Sequence, residues 1–143
     1  MRKAIFISTI ICMIFLYSCG YDITNNYDLV LINKSPKEIS LLYSNEISAQ
    51  TQNNVAYYLS GQSATPPDSS RIIYKTGGKD AWRNYIKEGK AKRLYLYIFE
   101  TDTLKKYQNM YSMSYLVSQR KFRKILDYSV NELEQNHWKI VAR

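Results

Sequence analysis

The first residue whose chemistry stands out is Cys19, which follows an apolar run in the stretch LYSC (16–19). Residues 1–18 begin with two basic residues after the methionine, continue through an almost wholly apolar segment at 4–16, and end in small or polar residues, which is the layout of a secretory signal. As a helix, an apolar segment of about 13 residues would span roughly 20 Å, less than the ~30 Å hydrocarbon core of a bilayer. The sequence therefore predicts export rather than a membrane-spanning helix.

The stretch LYSC resembles the bacterial lipoprotein signal, the lipobox, which has an aliphatic residue three positions before its cysteine and a small residue directly before it. This resemblance implies that Cys19 becomes the acylated first residue of the mature protein and carries its membrane anchor. Two alternatives stay open: an uncleaved signal anchor, and a plain secretory signal that leaves an unused cysteine. We expect a lipoprotein signal peptide at 1–18, a lipidated cysteine and tether at 19–27, and a single globular domain at 28–143.

The remaining residues offer no pattern typical of catalysis, of a cofactor or of a metal site. His137 is the one histidine, and we expect it at the surface or at an element boundary. Glu100 and Asp102 could imitate a catalytic carboxylate pair, but helix capping explains Asp102 without chemistry. Cys12 lies in the predicted signal and Cys19 is predicted to be acylated, so no thiol remains for a disulfide or a metal. We predict a protein that is not an enzyme and needs no cofactor.

Tyrosine is abundant, with 14 in the chain and 13 after the predicted signal. Its ring gives flat apolar area with a hydrogen-bonding tip, which suits glycan or protein surfaces. Tyr95 and Tyr97 alternate with aliphatic residues, and we expect them to fill a core or a second face of a sheet. The candidates for ligand binding, on segments where exposure is expected, are Tyr57, Tyr58, Tyr107 and Tyr111.

The chain is basic, with 20 Lys and Arg against 12 Asp and Glu, and loss of residues 1–18 leaves 18 against 12. An exported protein rarely meets nucleic acid, so we expect membrane head groups or acidic glycans as its anionic neighbours. The basic residues cluster at 87–93 and at 120–124. On a strand, Arg120 and Lys124 would point away from Lys121 and Arg123, which favours a charged sheet edge over one binding patch. The alternative is a site for phosphate-bearing lipids or acidic polysaccharide.

Apolar runs after residue 28 predict the strands that must position these side chains. We expect the first two to form a hairpin and the polar connection at 44–69 to be either mobile or a binding loop. The strongest strand signal is 94–99, which is apolar on both faces, as expected for a central strand. The other predicted strands are 28–33, 38–43, 71–75, 122–126 and 138–141, with 115–117 as a further candidate.

Three short helices are predicted in the connections. The first, at 80–88, places Trp82, Tyr85 and Ile86 on one face, with Asp80 as its cap and Gly89 at its end. The second follows the acidic segment 100–103 for roughly ten residues, and the third begins at the capping box formed by Ser129 and Glu132. The pattern predicts a mainly β or α+β fold, an antiparallel sheet or β-sandwich with about three short helices.

Several segments resemble uncharacterised small lipoproteins of Bacteroidetes. These are LYLYIFETDTL (94–104), YSVNELEQNHW (128–138), NKSPKEI (33–39) and DAW (80–82), together with the lipobox. Glu100 and Glu132 stand where aspartate is usual, and the end KIVAR departs from the usual tyrosine-proline finish. The residues that fit the family pattern are Ile98, Phe99, Asp102, Thr103, Leu104, Ser129, Leu133 and Trp138. The resemblance implies family membership and brings no established activity.

The lipoprotein signal and the composition together predict a membrane-anchored lipoprotein of the bacterial cell envelope, most simply a non-enzymatic binding or structural module. Its partners would be the membrane, through the lipid, and an envelope glycan or another envelope protein. Asp22 is the one acidic residue close behind Cys19, which favours the periplasmic face of the outer membrane over the cell surface. The alternatives are an enzyme or enzyme accessory acting on envelope glycans, and an antagonist of competing bacteria or host factors.

Overall fold

The computed structural model describes residues 28–48, 53–61 and 63–143, so Cys19 and the predicted signal and tether lie outside the described residues. The strands are β1 (Leu29–Asn33), β2 (Ile39–Ser44), β3 (Ala64–Thr65), β4 (Ser70–Ile73), β5 (Leu94–Glu100), β6 (Lys124–Tyr128) and β7 (Lys139–Ala142). The helices are α1 (Val55–Leu59), α2 (Ala81–Glu88), α3 (Thr101–Tyr107), α4 (Met113–Ser118) and α5 (Val130–Gln135). The described chain is thus an α+β, mainly β fold, as predicted, with five helices rather than about three.

The strands form two sheets, with the orders β4-β1-β7 and β3-β2-β5-β6. Every pairing is antiparallel except that of β1 with β7. The predicted hairpin of the first two strands is wrong, because β1 and β2 belong to different sheets. Asn33 explains the crossing: its buried amide donates to the carbonyl oxygens of Lys37 at 2.8 Å and Thr65 at 2.9 Å, while its oxygen accepts from the Ser35 N–H at 2.9 Å. These hydrogen bonds pair polar backbone groups of the turn in which the chain passes from one sheet to the other.

The main core lies between the two sheets. Alternation along each strand turns one row of aliphatic side chains inward, so β1 and β7 pack against β2 and β5. Helices α2 and α5 complete this core with Trp82, Ile86 and Leu133. Full burial of one such side chain stabilises the fold by roughly 1.5–3 kcal/mol. The strand residues of this core are Leu29, Leu31, Ile39, Leu41, Ile73, Leu94, Leu96, Ile98, Ile140 and Ala142.

A second core covers the opposite face of the four-stranded sheet. Tyr97 and Phe99 of β5 pack there against the buried faces of α1, α3 and α4. Tyr97 is buried and Tyr95 is half-buried, so both fill a face of the sheet as predicted. Because β5 is buried on both faces, the molecule has three layers: the three-stranded sheet, the four-stranded sheet and a helical layer.

The predicted strand at 115–117 is wrong, because these residues lie in α4. The side chain of Ser112 caps this helix by accepting from the Tyr115 N–H at 3.3 Å, and Met113 and Leu116, three positions apart, are buried. Helix α3 has seven residues rather than about ten. Its Asp102 lies inside the first turn and forms no side-chain cap, which also corrects the capping role predicted for it.

Other local predictions hold in part. Ser129 and Glu132 form the predicted capping box at the start of α5. In α2, Trp82 and Ile86 are buried and Tyr85 is half-buried, as expected for one face. Asp80 occupies the N-cap position of α2, but its side chain makes no capping hydrogen bond and pairs instead with Arg83 at 3.5 Å. None of the described helices is long and apolar enough to cross a membrane.

Candidate functional site

A cavity of about 870 Å³ opens where β4, an edge strand, meets the part of β2 that β3 does not pair. We call it the tyrosine cavity. Its wall combines apolar side chains of both sheets with four tyrosines and one arginine. The lining residues are Leu41, Tyr43, Tyr57, Tyr58, Gly61, Ser63, Arg71, Ile72, Ile73 and Tyr74.

Helix α1 brings two of the tyrosines to this cavity. The Asn54 side chain caps the helix by accepting from the Ala56 N–H at 2.9 Å, and the Ser40 hydroxyl donates to the Tyr58 carbonyl, which ties α1 to β2. Tyr58 is buried, whereas Tyr57 is 52% exposed. Their rings meet edge to face with centroids 5.2 Å apart. The helix thus fixes one ring in the wall and presents the other at the rim.

Strand β4 supplies the opposite wall. Ile73 turns into the main core and Arg71 shares its side of the strand, while the next residue, Tyr74, is 67% exposed. Burial lowers the pKa of the Arg71 guanidinium from its ordinary value, and attraction to Tyr57 opposes this shift. Arginine stays charged at neutral pH despite such a shift. The cavity therefore holds a partly desolvated positive charge, which attracts an anion more strongly than a fully hydrated one.

An aromatic cluster adjoins the cavity and shares Tyr43 with it. The Lys75 ammonium lies 3.8 Å from the ring centroid of Tyr85, 5.5 Å from that of Tyr43 and 5.7 Å from that of Trp82. Burial lowers the pKa of Lys75 and raises the pKa values of Tyr43 and Tyr85. The Trp82 indole N–H donates to the Ile73 carbonyl at 3.2 Å, which fixes this cluster to β4. Cation–π contacts therefore hold the chain that follows β4 beside the cavity.

A second cavity of about 380 Å³ lies between α3 and the turn that joins α4 to β6, and we call it the basic cavity. The prediction that cations at 120–124 diverge along a strand is wrong, because β6 begins only at Lys124. Arg120 has a positive φ of 50°, and the Lys121 N–H donates to the Leu116 carbonyl at 2.8 Å, so this segment is a tight turn. The lining residues are Glu100, Thr103, Lys106, Tyr107, Arg120, Lys121, Phe122 and Arg123.

The four predicted tyrosines fall into two places. Tyr57 and Tyr58 line the tyrosine cavity, whereas Tyr107 lines the basic cavity. Tyr111 lies beside Tyr107, with the two ring centroids 5.6 Å apart. Sequence reasoning missed Arg71, although the order Arg-Ile-Ile-Tyr-Lys at 71–75 places it on the same strand face as a core isoleucine. The predicted lipidation site, Cys19, lies outside the described residues.

The two carboxylates considered for catalysis contact different cations. The Glu100 carboxylate forms ion pairs with the Lys37 ammonium at 2.7 Å and with the Arg123 guanidinium at 3.6 Å. Asp102 is exposed, pairs with Lys105 at 3.7 Å and does not line the basic cavity. His137 is exposed between α5 and β7. No group of three His, Cys, Asp or Glu side chains that could hold a metal ion occurs within residues 28–48, 53–61 and 63–143.

The resemblance to small Bacteroidetes lipoproteins stays a prediction based on the motifs alone. The two cavities must therefore be interpreted from their own geometry. No protein-family model, curated protein or solved structure matches the chain.

Proposed function

We propose that the protein is a lipid-anchored binding module of a bacterial cell envelope, and that its ligand occupies the tyrosine cavity. The observation that carries this proposal is the cavity itself. Its volume of about 870 Å³ lies within the ~300–1,000 Å³ typical of ligand sites, and it combines an apolar wall with a few polar groups that can orient a ligand. Anchoring through Cys19 rests on the LYSC stretch, and the periplasmic face of the outer membrane follows from the sparse acidity behind it.

The lining indicates the chemistry of the ligand. Leu41, Ile72 and Ile73 offer apolar contact, and the tyrosines add flat rings with hydroxyl groups that exchange hydrogen bonds. Arg71 adds a partly buried positive charge, which favours an anionic group at one point of the ligand. A sugar ring has an apolar face, several hydroxyls and, in some amino sugars of bacterial envelopes, a carboxylate. A carboxylate-bearing fragment of an envelope glycan therefore matches the cavity.

The test is an isothermal calorimetric titration of the full-length protein, in detergent, with a muramic-acid-containing disaccharide. Because Tyr57 and Tyr74 are the exposed rings of the cavity, Tyr57→Ala and Tyr74→Ala should each weaken binding about tenfold, as expected when one aromatic contact is lost. The matched control is Ile47→Ala, which removes an exposed side chain (69%) that lines neither cavity. Equal affinity in all four proteins would contradict the proposal.

A reducing-end assay distinguishes the alternative of an enzyme that acts on envelope glycans. Glycan chains incubated with the protein should keep a constant number of reducing ends if the cavity only binds. An increase in reducing ends that Tyr57→Ala abolishes would replace the binding module with a hydrolase at the same cavity.

A further inference from the structure

The basic cavity carries an excess of positive charge that the described residues do not neutralise. Its four cations face one carboxylate, Glu100, which already contacts Lys37 and Arg123. The other three cations, Lys106, Arg120 and Lys121, form no ion pair with any residue of the described chain. Like charges gathered around one hollow raise the local concentration of anions. The cavity thus has the electrostatics of an anion site.

A row of tyrosine rings leads away from this cavity. Tyr107 lines the cavity, and its ring lies 5.6 Å from that of Tyr111. Tyr111 stacks on Tyr115, with centroids 4.4 Å apart and an interplanar angle of 17°. Tyr111 is 41% exposed and Tyr115 is 42% exposed, so the row is accessible from solvent. We call Tyr107, Tyr111 and Tyr115 the tyrosine row.

The row and the cavity are joined into one surface. Tyr107 belongs to both features, and the Lys106 ammonium of the cavity lies 5.3 Å from its ring centroid. The Ser112 cap starts α4 two residues after Tyr111 in the sequence, so Tyr115 lies in the first turn of this helix. Charge at one end and partly exposed tyrosine rings at the other suit a chain that carries both anionic groups and ring-shaped units.

We propose that the basic cavity and the tyrosine row form a binding surface for an anionic polysaccharide. A sulfate or carboxylate of the chain lies against Lys106, Arg120 and Lys121, and the neighbouring sugar rings contact the exposed parts of the stacked pair Tyr111 and Tyr115. This surface is separate from the tyrosine cavity and shares none of its lining residues. A single-stranded nucleic acid also combines anions with ring faces. The choice of polysaccharide rests on the envelope location given under the proposed function.

The experiment measures binding of a heparin-derived hexasaccharide to the full-length protein at several salt concentrations. Arg120→Gln/Lys121→Gln should weaken binding at least about tenfold and flatten its salt dependence, because two charged contacts are lost. Tyr115→Ala should weaken binding several-fold without changing the salt dependence. The matched control Lys87→Gln/Lys90→Gln removes the same charge from the other basic cluster, around the end of α2, and should leave the affinity unchanged.

Thermal unfolding checks each variant, and Lys106→Gln on α3 carries the test if Arg120→Gln/Lys121→Gln does not fold. The proposal is overturned if the control variant loses as much affinity as the cavity variant, if neutral maltohexaose binds as well, or if the hexasaccharide does not bind. Tighter binding of an oligodeoxythymidylate would overturn it in favour of nucleic acid. Tyr57→Ala should not change hexasaccharide affinity, so failure of this surface and failure of the tyrosine cavity give different results.

Discussion

Gly89 lets the end of α2 lie close to the backbone of Asn45, and any side chain at this position would clash with that backbone. It follows α2 and is buried, and a Cβ added there would lie 2.3 Å from the Asn45 carbonyl oxygen. Asn45 cannot easily move, because its amide donates to the Tyr85 carbonyl at 2.8 Å and its N–H donates to the Tyr85 hydroxyl at 3.2 Å. Gly89→Ala must therefore separate α2 from the end of β2 by on the order of 1 Å, judged against ordinary van der Waals contact.

Overpacking of this kind costs roughly 1–3 kcal/mol, and loss of one hydrogen bond of Asn45 adds about 1 kcal/mol. We expect Gly89→Ala to lower the free energy of unfolding by about 2–4 kcal/mol, which corresponds to roughly 8–16 °C in Tm for a domain of this size. Urea unfolding followed by tryptophan fluorescence measures the change, with the slope m as a check on two-state behaviour.

Matched glycines separate close approach from backbone conformation. Gly89 has a φ of −67°, so it does not end the helix through a left-handed conformation, as a typical C-cap glycine does. Gly61→Ala meets no atom within 4 Å and should change stability by less than about 1 kcal/mol. Gly78→Ala, at a φ of +81°, tests conformational strain alone, at about 1–2 kcal/mol. Gly89→Asn should be at least as damaging as Gly89→Ala, and a mild Gly89→Asn would refute the reasoning.

Three further predictions concern the core, the pH dependence and the anchor. Leu96→Ala, in the core between the sheets, should lower the free energy of unfolding by roughly 2–5 kcal/mol in urea titrations. Hydrogen bonds from the Ser129 N–H and hydroxyl, with help from Arg93, hold the pKa of Glu132 below its ordinary 4.5, so its stabilisation is present above pH 4.5 and lost as the pH falls through the lower folded value. Glu132→Gln should therefore reduce the loss of stability below pH 4.5, measured by urea unfolding at a series of pH values. Cys19→Ala should abolish metabolic labelling with palmitate, because it removes the proposed acylation site.

Each of these predictions has a control. Ile47→Ala, at a side chain that is 69% exposed, should change stability by less than about 0.5 kcal/mol, and a similar cost at Leu96 would contradict the core. Glu88→Gln replaces a carboxylate that takes part in none of the hydrogen bonds or ion pairs between described residues, so an effect on acid stability as large as that of Glu132→Gln would argue against the capping box. Labelling that persists in Cys19→Ala would remove the anchor from the account.

The parts of the fold that depend on local chemistry could be predicted from the sequence. The continuous apolar run of β5 predicts a strand buried on both faces, and Ser129 with Glu132 predicts the start of α5. The sheet order could not be predicted, because β1 pairs with β4 and β7, which lie far from it in the sequence. The run Tyr-Leu-Val at 115–117 favours a strand in the sequence, whereas in the structure the Ser112 cap starts a helix there.

The candidate sites show the same division. Single tyrosines could be chosen from composition and expected exposure, but the tyrosine cavity exists only because α1 and β4 approach each other from different parts of the chain. The basic cavity depends on a positive φ at Arg120, which turns neighbouring cations toward one hollow. A left-handed conformation at arginine has no clear signal in one sequence.

The most direct test of the tyrosine cavity compares two ligands in two proteins. The ligands are a muramic-acid-containing disaccharide and its analogue in which the carboxylate is replaced by a neutral amide, and the proteins are the wild type and Arg71→Gln. A charge-assisted contact is worth roughly 1.5–3 kcal/mol, so the wild type should bind the carboxylate at least about tenfold more tightly than the amide, and Arg71→Gln should bind both equally. The same preference for the carboxylate in both proteins would contradict the account.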